Sequence, residues 1–416
     1  MLAKYKTIAI KIIQNVQFCL CSLLLVFATA NAQQFRLPEN RHRQSITFKS
    51  IKNLIVVPVL VNGKGPYDFI LDTGVGPMII TDPSILDSLD FHALKKVTVS
   101  GLGTDTLVAY VSQSINAQIG RAKISRIPTA ILNDDLFNLS GYLGKKIYGI
   151  IGFSFFNSFV VDIRYSQNRL IIYQHDAKIK LRGKRIPLQI YNQRPYVSAE
   201  VAVSDGVKVM AKFLVDTGAS HSLSMETLGD GGFPIPQKKI AANLGMSLSG
   251  RIKGYVGRIA SFNFGGHVFK NIVAGFPNYK TIIKKIADSK RNGTLGAELL
   301  KRFDVQFDYA NSAVYLKLNS YAKKPFNYDK VGAVLYLDLE KVKRYMIAEV
   351  DEDSPADKGG LLAGDEILAI NFSDVNKYSL DELAEMFKSN LQKTIIFEIA
   401  RNGKVIFRFV RPEDRI

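Results

Sequence analysis

The alternation of apolar and polar positions predicts a chain built mostly of β-strands. Short runs rich in β-branched and aromatic residues are separated by glycine and asparagine turns, which is typical of strands. These runs lie at residues 55–61, 67–71, 97–100, 169–173, 196–203, 210–215, 259–264 and 313–318. Apolar residues at helical spacing predict only short helices, near residues 83–89 and 279–290. We therefore expect a mainly β fold up to residue 322.

The same pattern occurs twice along the chain. An Asp-Thr-Gly tripeptide at residues 72–74 follows an apolar run, and a second one at residues 216–218 follows another run, 144 positions later. A Gly-x-x-Gly segment comes 77 residues after each aspartate, at residues 149–152 and 293–296. Two anchors in one register predict two duplicated lobes.

The register of the repeat is expected to change after the second anchor. Strand-like segments follow at residues 159–162 and 305–308, and the aspartates that end them are 146 positions apart. This larger offset predicts an insertion of two residues in the second copy.

The chain beyond Lys323-Lys324-Pro325 follows a different pattern. A Ser354-Pro355-Ala356 motif precedes the segment 363–371, in which Asp365-Glu366 is followed by an apolar run at 367–370. Apolar residues at helical spacing then predict a helix over residues 379–389. Two closing strand patterns flank Asn402-Gly403, a strong hairpin signal. These residues, about 90 in number, are enough for an independent domain of mixed strand and helix.

The first 32 residues are typical of a secretory signal peptide. Lys4, Lys6 and Lys11 precede a mostly apolar stretch at residues 18–27, and Ala30-Asn31-Ala32 fits the small-residue cleavage site. An uncleaved membrane anchor is the alternative, but the apolar stretch is shorter than the ~20 residues that a spanning helix needs. We expect cleavage after Ala32 and a periplasmic or secreted protein without an integral membrane segment.

These patterns predict four parts of the chain. They are a signal peptide (1–32), a first lobe (33–180), a second lobe (181–322) and a small C-terminal domain (325–416).

Composition narrows the possible chemistry. Both cysteines, Cys19 and Cys21, lie in the predicted signal peptide, which excludes disulfides, thiol catalysis and thiolate metal sites in the mature chain. The net charge of +18 becomes +15 without the three signal lysines. Basic residues are spread along the chain, and the densest cluster, at residues 280–291, has the spacing of an amphipathic helix. This favours a solvated face over a nucleic-acid site.

Other catalytic motifs are missing from the sequence. There is no His-Glu-x-x-His pair for zinc and no Gly-x-Ser-x-Gly nucleophile elbow. The sequence therefore implies neither a metal nor another cofactor.

The two aspartates that follow buried strands, Asp72 and Asp216, are the candidate catalytic groups. Two carboxyl groups brought close together share one proton, because like charges disfavour the second ionisation. The ionised member can take a proton from water while the protonated member polarises a carbonyl. The titration belongs to the pair, so the position of the proton stays open.

Their neighbours predict how the pair is held. The hydroxyl groups of Thr73 and Thr217 can bond across to the opposite turn, and Gly74 and Gly218 leave room for backbone amides near the carboxylates. These four residues are the candidate supporting residues of the site.

With both tripeptides and both later apolar-apolar-Gly segments, residues 45–319 resemble the pepsin and retropepsin superfamily of aspartic peptidases. The resemblance implies two double-ψ β-barrel lobes related by a pseudo-twofold axis, with Asp72 and Asp216 as the catalytic pair. It also implies a flap, for which residues 97–111 with a tip at 100–103 are the candidate. The residues after the glycines depart from the pepsin pattern, because Val75 and Ala219 replace the usual Ser or Thr.

The C-terminal part resembles a PDZ domain, through Ser354-Pro355-Ala356 and the segment 363–368. The whole chain is similar to bacterial secreted aspartyl proteases with a C-terminal PDZ module. The resemblance implies a groove beside the 379–389 helix that takes an extended peptide or a C-terminus by strand addition. The candidate carboxylate-binding loop is Val331-Gly332-Ala333-Val334. In the alternative, this domain only packs on the lobes.

The sequence therefore predicts an aspartic endopeptidase that hydrolyses polypeptides, with a PDZ domain for substrate or partner peptides. A catalytically inactive peptide-binding adaptor of the cell envelope is the alternative. Retention of both Asp-Thr-Gly turns favours the enzyme, whereas Val75 keeps the alternative open.

Overall fold

The computed structural model describes most of the chain after the predicted signal peptide. The described residues are 34–86, 94–100, 106–133, 138–203, 207–247, 250–389 and 393–416. The predicted signal peptide and residues 101–103 of the predicted flap tip lie outside them.

The first lobe is built from eleven strands with two short helices between them. The helices are α1 (Leu139–Leu143) and α2 (Phe153–Phe156), and 3-10 turns cover Pro83–Ile85 and Tyr165–Gln167. The strands are β1 (Arg43–Thr47), β2 (Lys49–Ile51), β3 (Leu54–Val61), β4 (Lys64–Leu71), β5 (Met78–Ile80), β6 (Lys95–Ser100), β7 (Thr106–Ile119), β8 (Ala122–Leu132), β9 (Gly149–Ile151), β10 (Val160–Arg164) and β11 (Arg169–Tyr173).

The second lobe repeats this composition. Its helices are α3 (Tyr279–Ile286), extended by a 3-10 turn over Ala287–Ser289, and α4 (Ala297–Leu300). Its strands are β12 (Lys184–Pro187), β13 (Gln189–Tyr191), β14 (Arg194–Ala202), β15 (Lys208–Val215), β16 (Leu223–Met225), β17 (Lys239–Ser247), β18 (Gly250–Phe264), β19 (His267–Pro277), β20 (Gly293–Leu295), β21 (Phe303–Asp308) and β22 (Ala313–Leu318).

The two lobes share one sheet topology. The first lobe has the strand order β2-β3-β4-β9-β5-β8-β7-β6, and the second has β13-β14-β15-β20-β16-β19-β18-β17, in which each strand is replaced by its counterpart eleven places later. A third sheet, β1-β11-β10-β21-β22-β12, takes three strands from each lobe and pairs β10 with β21 at its centre. The predicted mainly β, duplicated fold is confirmed.

The register of the repeat corrects one prediction. β11 begins at Arg169 and β22 at Ala313, so the offset is still 144, and left-handed residues precede both strands, Asn168 (φ 50°) and Ser312 (φ 47°). The predicted two-residue insertion is wrong. Successive side chains of a strand alternate between its two faces, so a shift by two residues preserves the apolar pattern. The pattern therefore cannot distinguish two registers that differ by two residues.

Burial follows this alternation and joins the lobes into one core. β3 and β4 bury apolar side chains such as Val57, Val59, Phe69 and Leu71, which pack in the same cluster as Phe213 and others from the second lobe. Phe rings across the third sheet contribute strongly, because each buried side chain of this size stabilises the fold by roughly 1.5–3 kcal/mol.

The C-terminal domain has a core of its own. Its strands follow the order β23-β24-β25-β27-β28, with β26 beside β25. Ser379 and Glu382 form a capping box at the start of its longest helix, within the predicted 379–389 span. The elements are β23 (Ala333–Asp338), β24 (Arg344–Val350), α5 (Pro355–Lys358), β25 (Glu366–Ile370), β26 (Ser373–Asp374), a 3-10 turn (Val375–Lys377), α6 (Leu380–Lys388), β27 (Ile395–Arg401) and β28 (Lys404–Val410).

Candidate active site

Each aspartate of the pair is presented at the end of a buried strand. β4 runs parallel to β9, and β15 runs parallel to β20. The amide of Asp72 donates to the carbonyl of Ile151 (2.8 Å), and the amide of Asp216 donates to the carbonyl of Leu295 (2.9 Å). The crossing strands β9 and β20 therefore hold the two acid turns at equivalent positions in their lobes.

The Gly-x-x-Gly segments are required by this crossing. A Cβ on Gly152 would lie less than 3.0 Å from the carbonyls of Asp72 and Val75, and a Cβ on Gly296 would lie equally close to that of Ala219. Real Cβ atoms do not approach backbone so closely. The close passage of the strand past the acid turn is the physical reason for the repeated glycines.

Two threonines lock the acid turns together. The amide of Thr73 donates to Thr217 Oγ1, and the amide of Thr217 donates to Thr73 Oγ1, both at 3.0 Å. Thr73 Oγ1 donates to the carbonyl of Val215 (2.7 Å), and Thr217 Oγ1 donates to that of Leu71 (2.9 Å). Both threonines are fully buried. Each hydrogen bond stabilises the arrangement by about 1 kcal/mol net, and loss of one buried partner costs more.

The carboxyl groups of Asp72 and Asp216 meet at the centre, each beside the glycine of the opposite turn: a Cβ on Gly74 would lie within 3.0 Å of the Asp216 carboxyl group, and a Cβ on Gly218 within 2.6 Å of that of Asp72. The amide of Gly74 donates to Asp72 Oδ1 (2.6 Å), and the amide of Gly218 donates to Asp216 Oδ1 (2.9 Å). Asp72 is 9% exposed, whereas Asp216 is more open to solvent.

Burial raises the pKa of Asp72 well above its usual range, and the neighbouring charge of Asp216 raises it further. The amide of Gly74 and the charge of Arg194 oppose this shift. A carboxyl group with a raised pKa next to a second carboxyl group can hold one proton between them, which is the arrangement that acid and base catalysis by a pair requires.

Two hairpin turns brace the acid turns from the opposite lobe. In the first lobe, Asn53 Nδ2 donates to the carbonyl of Ser220 (2.9 Å), just after the second Asp-Thr-Gly turn. In the second lobe, Gln193 lies against Gly76, just after the first turn. Arg194 then breaks the symmetry, because its Nε donates to the carbonyl of Gly74 (2.7 Å) and its charge lies near Asp72.

Replacing Arg194 with glutamine is expected to raise the pKa at which the carboxyl pair of Asp72 and Asp216 loses its proton. Arg194 lowers the pKa of Asp72, so its loss raises the pH at which the pair gives up a proton and gains its base form. The measurement is the pH titration profile of the two carboxyl groups, followed by carbon-13 NMR. Arg185→Gln is the matched control, since Arg185 is an exposed arginine of the same lobe that bonds to Asn311 instead. Identical profiles for the two variants would contradict this role.

Sequence reasoning missed several residues around the pair. Tyr309 is 5% exposed, its hydroxyl has no hydrogen-bond partner among the described residues, and burial raises its pKa with a further contribution from both aspartates. Its position, 144 residues after the buried Tyr165, was a usable signal. Arg194 and Asn53 had no such signal in the sequence, because polar residues in turns are ordinarily solvated.

Other predicted residues lie around or away from the pair. Val75 is 9% exposed and packs in a cluster with Leu107 of β7, which lies near the tip end of the predicted flap. The flap strands β6 and β7 pair up to Ser100 and Thr106. Val331 is fully buried in the core of the C-terminal domain, so the predicted peptide-binding loop belongs to that domain and not to the acid site.

In the described part of the chain, no cluster of three or more His, Cys, Asp or Glu side chains has the arrangement to bind a metal ion. No helix among these residues has both the length and the apolar character needed to span a bilayer.

Two known protein families match parts of this chain. The family described as aspartyl protease matches residues 57–155 and 198–299, and the PDZ domain family matches residues 346–401. No curated protein matches the chain. Among solved structures, an aspartic proteinase from Irpex lacteus is similar with 12% identity and a TM-score of 0.39, covering 68% of this chain and 100% of its own.

Proposed function

We propose that this protein is an aspartic endopeptidase that uses Asp72 and Asp216, since parts of both lobes match the aspartyl protease family and a segment after them matches the PDZ domain family. The observation that carries the proposal is the pair of adjacent carboxyl groups between two cross-bonded Asp-Thr-Gly turns. Both acids, both threonines and both glycines are present, and each is engaged in the site. An inactive adaptor would not need this arrangement.

The reaction follows from the shared proton. The ionised carboxylate takes a proton from water, and the resulting hydroxide bonds to the carbonyl carbon of the scissile peptide. The other carboxyl group gives its proton to the carbonyl oxygen, forming a neutral diol. The diol then loses a proton to a carboxylate, the C–N bond breaks, and the amine nitrogen receives a proton. No covalent acyl-enzyme forms, and the pair ends with one proton again.

The hydrogen bonds within the acid turns hold the two carboxyl groups in position before substrate binds. The four threonine hydrogen bonds fix the distance between the carboxyl groups, and the two glycine amides orient one oxygen of each. Positioning of this kind can supply a large part of the barrier reduction, because the groups are already ordered before substrate arrives. The partial exposure of Asp216 supports substrate access from the solvent side.

The predicted signal peptide and the PDZ domain support a location and a mode of substrate recognition. The predicted signal peptide supports a periplasmic or secreted location, where substrates are unfolded or extended polypeptides. The PDZ domain supports recognition of a substrate or partner peptide.

Cleavage of an unfolded polypeptide by the chain from Gln33 onward is the direct test. We expect new internal termini by mass spectrometry, a rate that is higher in acid than at neutral pH, and inhibition by pepstatin. Chelators and thiol reagents should leave the rate unchanged, since the mature chain is predicted to lack cysteine. The Asp72→Asn, Asp216→Asn double variant, prepared identically, controls for contaminating peptidases. Equal cleavage by both preparations would refute the proposal.

A further inference from the structure

The groove of the PDZ domain lies between β23 and α6. β23 is at one end of the strand order, and its only described strand partner is β24. A free strand edge beside a helix is the arrangement that takes an added strand in PDZ domains. Two features of this chain show that the groove is already engaged at both ends.

The end near the start of α6 is covered by the first lobe. The ring of Tyr142 in α1 lies 6.0 Å from the ring of Tyr336 in β23. A Cβ on Gly144, just after α1, would lie 3.1 Å from Leu380 Cδ1 of α6 and 3.4 Å from Leu337 Cδ1 of β23. Helix α1 and Gly144 therefore pack against both walls of the groove.

The other end is closed by a carboxylate of the domain itself. The amides of Val331 and Gly332, in the predicted carboxylate-binding loop, donate to Asp329 Oδ1 (3.1 Å) and Oδ2 (2.6 Å). The guanidinium of Arg415 lies 3.5 Å from the same carboxylate. An incoming C-terminal carboxylate would have to displace Asp329 from these two amides.

Helix α6 also contacts the turn that braces the acid site. The backbone amide of Lys52 donates to both carboxylate oxygens of Asp381 at 3.0 Å. The next residue, Asn53, donates from Nδ2 to the carbonyl of Ser220 and to Glu298 Oε2, both at 2.9 Å, and accepts from Lys301 Nζ at 2.8 Å. The PDZ helix is thus two residues of chain away from a direct contact with the loop that follows Asp216.

The PDZ domain contacts the second lobe as well as the first. Glu349 of β24 accepts from Asn243 Nδ2 (3.1 Å) and pairs with Arg251 Nη1 (3.2 Å). Leu143 of α1 packs in the cluster that contains Val75 and Leu107. The PDZ domain therefore touches both lobes, and each lobe carries one acid of the pair.

We propose that the β23–α6 groove is a dock for α1 of its own chain, and that Asp381 is a positioning residue that holds the Lys52–Asn53 turn against the acid turn of the second lobe. An external peptide then enters the groove only after α1 leaves, and its entry lowers turnover. The effect on turnover rests on the proposed peptidase function, whereas the docking does not.

The docking is tested first in the catalytically silenced Asp72→Asn chain, with hydrogen exchange as the readout. Asp381→Ala is expected to speed exchange at residues 51–54 and 139–147 while β25 and β27 of the PDZ core keep their protection. Glu385→Ala is the matched control, because Glu385 is an exposed acid on the same helix whose ion pair is with Lys388. Unchanged exchange at both segments in Asp381→Ala would overturn the docking.

Turnover is tested in the otherwise wild-type chain. Asp381→Ala should lower kcat about five-fold with little change in KM, a coupling of the usual size between contiguous parts of a protein. Asp381→Asn should lower it less, because one acceptor oxygen remains, and Glu385→Ala should leave it unchanged. An unchanged kcat in Asp381→Ala would overturn the positioning role. If the wild-type chain has no turnover, the peptidase proposal fails and exchange still decides the docking.

A labelled peptide that ends in two valines with a free carboxylate probes the competition. It should bind about ten-fold more tightly to Tyr142→Ala, Asp381→Ala than to the parent chain, since the apparent affinity falls with the fraction of open groove. It should also speed exchange at residues 139–147 when it binds. Equal binding to both chains without any change in exchange would show that α1 does not occupy the groove.

Discussion

Replacing Asp72 or Asp216 with asparagine is expected to lower kcat by about three orders of magnitude or more. An amide can neither take a proton from water nor give one to the scissile carbonyl at the required moment, and such proton transfers contribute roughly 10²- to 10⁴-fold each. Both carboxyl groups act in the same reaction cycle, so the two single variants should be nearly as inactive as the double variant. Steady-state cleavage of one labelled peptide gives the comparison.

Asp72→Asn should remain folded and should be more stable than the wild type at neutral pH. The pKa of Asp72 is raised in the folded protein, so between the unfolded value of about 4 and that raised value the folded state holds more protons. Stability of the wild type therefore falls as pH rises through this window. Asparagine imitates the protonated acid and removes this loss, so the difference in melting temperature should grow with pH.

Asp288→Asn provides the control for both measurements. Asp288 is exposed on the 3-10 turn after α3, and the substitution is chemically the same. It should change neither kcat nor the pH dependence of stability. Activity of Asp72→Asn close to that of Asp288→Asn would remove this aspartate from the mechanism.

Gly218→Ala should lower kcat by about 100-fold or more, although no charged or hydrogen-bonding side chain is changed. A Cβ at this position would lie less than 3.0 Å from every atom of the Asp72 carboxyl group, so that group or the turn must move. Displacements near 1 Å in a catalytic site can cost 100-fold in rate. The loss is expected in kcat, because the substitution misplaces the reacting groups.

Alanine substitutions at two other glycines should lower kcat by smaller amounts or not at all. A Cβ on Gly74 would lie 2.9 Å from Asp216 Oδ2, so Gly74→Ala should also be impaired but less than Gly218→Ala. Gly231 of the same lobe has no atom within 4 Å of such a Cβ, so Gly231→Ala should keep wild-type kcat. Kinetics and thermal unfolding of the three variants give the comparison. Equal activity in all three would show that the acid pair tolerates displacement.

Local patterns predicted the elements of this protein well, for clear reasons. Strands with one buried face are recognisable by the alternation of apolar and polar residues, as in β3 and β4. The hairpin at Asn402-Gly403 is recognisable because both residues favour the left-handed conformation that its turn adopts. The same two-residue period explains the wrong insertion near Asp308, because a pattern that repeats every two residues does not distinguish a shift of two.

The sequence by itself determined the duplication, the mainly β lobes, the two Asp-Thr-Gly tripeptides and the distinct pattern of the C-terminal part, because each of these depends on residues that are neighbours in the chain or repeat at one interval. Tertiary structure decided which groups surround the acids. Arg194 reaches the first acid turn from 120 residues away, Asn53 meets Ser220 across 167, and Asp381 meets Lys52 across 329. Such contacts leave no periodic trace in a sequence, since they arise only when strands from both lobes and a helix from the PDZ domain are packed side by side.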